Sequence, residues 1–249
     1  MTNSLPKKLK DDAILEALLE IRFEPAPSLV FEIILGRFAD SDAWREFKQA
    51  RLPTADIPAP IRRADPNLRY QPSIELVSPD GAISVRVGPQ VVIYSRRGSY
   101  PGWDVFGSEL EKIADHLYRV IPTAHVSRIG LRYINALRSD LHGINDVGDL
   151  DISISVAGEK LSKSLNLNFK SNVGTNLETM SRIASIDLAE GSIPENATMI
   201  IDIDVYTGQS FAAKTVDDVK AWVRKAHETE KQSFFKVLGK EATERLRED

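Results

Sequence analysis

Strict alternation of apolar and polar residues recurs along this chain, and it leaves little choice but a sheet with one dry face and one wet face. The pattern is sharpest in residues 127–137, SRIGLRYINAL, where Ile129, Leu131 and Tyr133 oppose Arg128, Gly130 and Arg132. Residues 14–24, ILEALLEIRFE, set Leu15, Ala17, Leu19, Ile21 and Phe23 against Glu16, Leu18, Glu20, Arg22 and Glu24. In residues 198–208, TMIIDIDVYTG, the carboxylates Asp202 and Asp204 share one side, away from Ile201, Ile203 and Val205. Shorter strand candidates occupy 151–158, 164–170 and 180–190. Residues 73–97 form a meander turned at Pro79-Asp80-Gly81 and at Gly88-Pro89.

Between these runs the period changes to that of a helix. In 28–40, Ser28 can cap, and Val30, Ile33, Ile34 and Phe38 make a stripe. Residues 100–121 place Trp103, Phe106, Leu110, Ile113 and Leu117 at helical spacing, with Pro101 suited to the first turn. A long helix is expected over 215–239. Thr215 and Asp218 have the spacing of a capping box, and Val216, Val219, Val223, Ala226 and Phe234 form its inner stripe. Gly239 should stop or bend it. Five of the thirteen prolines fall within 51–72, which reads as an extended connector or surface loop.

The two halves look alike. EIRF (20–23) and GLRY (130–133) each open a run of strands that closes on a long helix with a tryptophan, Trp103 or Trp222, near its front. The expected fold is therefore α+β, with antiparallel sheets, two long packing helices and an internal duplication. Its units would be 1–121 and 122–249, possible as one continuous domain.

Composition excludes several classes of chemistry. With no cysteine, the chain has no disulfide, thiolate zinc site, iron–sulfur cluster or cysteine nucleophile. A formal charge of −4 argues against a broad nucleic-acid-binding surface. No apolar stretch follows MTNSLPKKLKDD to make a signal peptide, and no uncharged apolar run is long enough to span a bilayer. A cytoplasmic location is expected.

The segments EALLEIRF, YPGWDVF, SRIGLRYIN and IDIDVY, with a last helix carrying His227 and Phe234, resemble a sporadically distributed bacterial family of uncharacterised proteins of about this length. The likeness spans almost the whole chain, and RIGLRYIN is its most specific part. It implies a single shared architecture and a bacterial source, and it implies no activity.

Two chemical readings compete for the charged strands. Carboxylates two residues apart can hold a divalent ion, so Asp202 and Asp204, with Gly191-Ser192 upstream, suit a metal-dependent nucleotidyltransferase or nuclease. Such an enzyme needs a helix between the Gly-Ser pair and the aspartates, and Pro194 with Glu195 and Asn196 leaves no room for one. A third carboxylate is needed too, and Asp187 is the candidate. The favoured reading pairs Arg128 and Arg132 with Asp202 and Asp204 across adjacent strands, as opposite charges on one sheet face do. Arg22 extends the ladder, and Gly130 leaves room for the guanidinium groups. The same face could instead grip an anionic ligand through arginine forks.

His116, His125, His142 and His227 lack ligand-spaced partners and read as surface or capping residues. No Gly-x-Ser-x-Gly elbow or phosphate loop occurs. From Arg51 to Arg97 seven arginines face four acids, and Arg62, Arg63, Arg96 and Arg97 mix with tyrosines in a way that suits partner contact. The expectation is a non-catalytic interaction or ligand-binding protein without cofactor or metal, whose partner is a protein or a small anion. The enzyme centred on Asp202 and Asp204 is its rival.

Overall fold

The computed structural model describes residues 5–25, 31–161, 164–188, 193–208 and 211–248. Alternation does what the sequence demands. Strand β1 (Ile14–Glu24) buries Ala17, Leu19, Ile21 and Phe23 completely, and strand β6 (His125–Arg138) does the same with Ile129 and Leu131. These two strands run antiparallel, with Leu19 opposite Leu131 and Glu20 opposite Gly130. A one-residue slip would turn every apolar side chain of β1 to the wrong face, so the register is strongly specified.

From this seam the sheet grows both ways. On one side come β5 (Val91–Arg97), β4 (Ile83–Gly88), β3 (Ile74–Val77) and the four-residue β2 (Lys48–Arg51). On the other come β11 (Ala197–Tyr206), β10 (Leu177–Ser185) and β9 (Asn166–Gly174). All nine strands pair antiparallel. In each half the opening strand, β1 or β6, pairs with the last strand before a helix, β5 or β11.

Those helices are α4 (Trp103–Val120) and α6 (Val216–Leu238). Both lay apolar stripes on the same sheet face: Phe106, Leu110, Ile113 and Leu117 from α4, Val219, Val223, Ala226 and Phe234 from α6. Arg224 with Glu111 and Lys220 with Asp115 join the two helices along their contact. The start of α6 is a true capping box. The Thr215 hydroxyl accepts from the Asp218 amide at 3.2 Å, and the Asp218 carboxylate accepts from the Thr215 amide at 2.9 Å. Gly239 ends the helix at φ +82°, and a short helix, α7 (Lys240–Leu246), begins at once. Among the described residues, the opposite sheet face carries no helix of comparable length.

Several expectations change. Residues 51–72 are not an extended connector: Pro53, Pro60 and Pro66 lie in the first turns of a 3-10 helix, of α2 (Ala59–Ala64) and of α3 (Pro66–Arg69). Proline lacks only an amide that a first turn leaves unused, so its density marks helix starts here. Of 151–158, only Ile154–Val156 is a strand, folded as a small hairpin with Glu159–Leu161. Strand β2, wholly exposed, has no counterpart in the sequence reading. The helix expected over 28–40 is α1 (Phe31–Ala39), which buries Ile34 and Phe38 but leaves Ile33 out. Its proposed cap Ser28, and the Gly191-Ser192 pair, lie outside the described residues.

Candidate functional site

The uncovered face of the sheet concentrates charge along its three central strands. β1 supplies Glu16, Glu20 and Arg22, β6 supplies Arg128 and Arg132, and β11 supplies Asp202 and Asp204. Each lies one residue away from a buried apolar side chain, so the alternation that builds the core also aims these groups outward.

Their pairing is diagonal as well as direct. Backbone register sets Arg132 opposite Asp204, yet its guanidinium reaches Asp202, Nε to Oδ1 at 2.7 Å and Nη2 to Oδ2 at 2.5 Å. This two-pronged fork is the strong form of an ion pair. Arg128 spans two carboxylates, Glu20 at 2.5 Å and Asp204 at 3.3 Å, and Arg22 donates to the same Glu20 oxygen at 2.7 Å. At the β5 side, Glu16 meets Arg97 at 3.2 Å and Arg86 at 3.8 Å. Two tyrosine rings border the array, Tyr70 under Arg22 at 4.7 Å and Tyr206 under Arg128 at 4.9 Å. Gly130 sits in the middle. A Cβ there would fall 3.0 Å from Arg128 Nη1 and 3.2 Å from Asp204 Oδ1, so the ladder closes over a residue with no side chain.

The electrostatics are those of a half-desolvated network. Burial raises the Asp204 carboxyl above its ordinary range against the pull of Arg128. The hydrogen bonds to Asp202 raise Arg132 further. With the arginines partly exposed, each pair contributes little stability alone, about 0–1 kcal/mol.

For metal binding, Asp202 and Asp204 are each already held by an arginine. Asp187 lies beyond the end of β10 and accepts from the Ser164 hydroxyl at 2.5 Å, away from the aspartate pair. Among the described residues, no group of three or more His, Asp or Glu side chains is placed to hold a metal ion.

The four arginines expected to contact a partner do not share a surface. Arg62 is 5% exposed and donates to the Thr54 and Gln71 carbonyls, which makes it an internal staple of the 52–72 segment. Arg96 and Arg97 are strand neighbours and so point to opposite faces. Arg96 forks onto Glu109 of α4 on the helix side, at 2.9 and 2.5 Å, whereas Arg97 joins the charged face through Glu16. Arg63 is exposed.

On the helix side, a second polar cluster escaped the sequence reading. Tyr133 of β6 stands 3.2 Å, oxygen to oxygen, from Tyr100, and 3.4 Å from Nδ1 of His227 on α6. The His227 ring lies flat on Trp103, centroids 3.7 Å apart. One turn along, Glu230 is 5% exposed. Burial pushes Glu230 up to about 8 and His227 down to about 4, and it raises Tyr100 and Tyr133 above the usual phenol range. The signal was present in the sequence: Glu230 falls in the stripe Val219, Val223, Ala226, Phe234, at the one place where a carboxylate interrupts it. His116 and His142 are also corrected from surface residues to buried ones. His116 packs edge-on against Phe38 and meets its carbonyl at 3.2 Å. His142 accepts from the Arg138 amide at 2.8 Å, so it retains a capping part.

Compared with known proteins, the chain matches no family model and no curated relative. No helix among the described residues is long and apolar enough to cross a membrane.

Proposed function

We propose that the protein is a non-catalytic binding protein and that the central charged face of its sheet, around Arg22, Arg128 and Arg132, receives a small anionic ligand. The observation that carries the reading is the placement of three partly exposed guanidinium groups on the sheet face opposite α4 and α6. Their present partners are side-chain carboxylates, and each guanidinium keeps an exposed edge at which a ligand carboxylate or phosphate can add to the pair without displacing the buried partner. Arginine suits the task because its planar fork matches either oxyanion. Tyr70 and Tyr206 give the face two flat walls.

We further infer that the sheet arose by duplication of one unit. Matched strand orders on the two sides of the β1–β6 seam support this, as does the sequence match of EIRF to GLRY, which makes Arg22 and Arg132 equivalents. Glu20 and Gly130, aligned by that match, also face each other in the register, as residues on a local two-fold would.

Calorimetric titration of the full chain with pyrophosphate and with citrate, at low and high salt, tests the binding site. Saturable binding that weakens with salt and is lost in Arg132→Gln supports it. Absence of binding by the wild type to either probe at millimolar concentration refutes it.

A further inference from the structure

The cluster under α6 has the parts of a conformational switch. Three separate pieces of chain meet there: the middle of α6, strand β6 through Tyr133, and the turn Tyr100–Trp103 that leads into α4. His227 is the common member, hydrogen-bonded to Tyr133 and stacked on Trp103. Glu230 lies beneath it in a stripe otherwise made of Val219, Val223, Ala226 and Phe234. We propose that this seam is a proton-operated latch, closed while the Glu230 carboxyl keeps its proton and released when the proton leaves.

The surroundings of Glu230 supply no counter-charge. The neighbouring titratable groups are His227 and Lys231 on α6, Tyr133 on β6, Tyr100 on the turn, Glu109 on α4 and Asp12 from the segment before β1. Glu109 and Asp12 act on Tyr100, and Glu109 is itself held by the Arg96 fork, so burial alone sets the state of Glu230. Lys231 acts on His227, and burial holds His227 in its neutral form. The core side chains of the two other elements that pack on α6, Ile201, Ile203 and Val205 of β11 and Ala242 and Leu246 of α7, carry no charge. The ion pairs Arg224–Glu111 and Lys220–Asp115 lie nearer the start of α6. Among the described residues no hydrogen-bond donor reaches the Glu230 carboxyl. An ionised carboxylate in such a place is penalised far more heavily than a protonated one.

The direction follows from linkage. Opening exposes Glu230 to water, where it loses its proton near 4.5, whereas the closed seam keeps the proton up to about 8. Opening therefore releases a proton at neutral pH. Closure is favoured most below 4.5, is lost progressively as pH rises, and changes no further above about 8.

Hydrogen exchange of the full chain, corrected for the intrinsic pH dependence of amide exchange, reads this directly. Protection of residues 226–235 and 100–106 should fall roughly fiftyfold between pH 6 and pH 8 and level off above that. The Glu230→Gln variant should show no such slope. A wild-type profile that is flat, or a slope that persists in Glu230→Gln, overturns the latch. Should that variant not fold, carbon NMR of the labelled wild-type glutamates decides. One carboxyl titrating far above the rest supports the proposal, and every carboxyl titrating near the ordinary value refutes it.

Discussion

Removing Arg132 should harm the fold more than removing the aspartate it holds, although the two form one pair. The side chain of Arg132 is 41% exposed and that of Asp202 only 11%. In Asp202→Asn, the freed guanidinium turns to water, and the loss is that of one exposed charge pair, about 1 kcal/mol at most. In Arg132→Met, a carboxylate stays in a largely dry position without its two-pronged donor. A fully buried charge left unpaired costs about 3–5 kcal/mol. Arg182, opposite Asp202 in the β10–β11 register, keeps some positive potential nearby, which reduces the expected loss to about 2 kcal/mol. Urea denaturation followed by circular dichroism can resolve that difference, and the thermal midpoint should drop by roughly 4–8 °C for Arg132→Met. The double variant Arg132→Met/Asp202→Leu should recover part of the loss, because no charge is then stranded. Equal costs for the two single variants, or a double variant as unstable as their sum, would refute the reasoning.

Three further outcomes test other parts of the structure. Gly239→Ala should destabilise by about 1–3 kcal/mol, because residue 239 has φ +82° and its Cβ would fall 2.9 Å from that of Asp151. Gly36→Ala, in helix α1 with nothing within 4 Å of the new methyl, should stabilise by up to about 1 kcal/mol, and thermal melts compare the two directly. Arg62→Ala should cost about 2 kcal/mol through two stranded carbonyls, while Arg63→Ala stays within about 0.5 kcal/mol of wild type; limited proteolysis of the 52–72 segment reports which one matters. His227 contributes to the acid side of the stability profile, beside the buried His116 and His142. Its neutral form is favoured in the fold, so its contribution is complete above 6.5 and is lost as pH falls toward about 4, by up to roughly 3 kcal/mol. Denaturation of His227→Gln across that window should show a shallower slope, and an unchanged slope would assign the effect elsewhere.

What could be read from sequence is what one side chain and its near neighbours decide. β1, β6 and β11 were legible because each has one mainly apolar side, and the α6 capping box because its two partners are three residues apart. The charged face was legible for the same reason, since side chains two residues apart in a strand share a face. β2 was not, because an exposed four-residue edge strand, KQAR, has no apolar side to betray it. Arg62 and Arg63 are adjacent and identical, and only the path of the Thr54 and Gln71 backbone chooses which one is buried. Arg132 pairs with Asp202 rather than the directly opposed Asp204, a choice of side-chain direction that register alone does not contain. Tyr100, Tyr133 and His227 come from three distant segments, so no local pattern could join them.

The β1–β6 seam also bears on how fast this chain can fold. Hairpins such as β4–β5 and β9–β10 close over a few residues and can form early. The central joint cannot: Arg128 meets Glu20 across 108 positions of sequence, and every contact along the seam carries a similar loop-closure cost. Folding dominated by such non-local pairing is slow, on the order of milliseconds to seconds. Until the seam closes, β1 and β6 each have an exposed edge with one strongly apolar side, which is the template that another unfolded chain can pair with. Refolding yield should therefore fall steeply with protein concentration, and the strand that holds the candidate site together is the one most exposed to misassembly on the way to it.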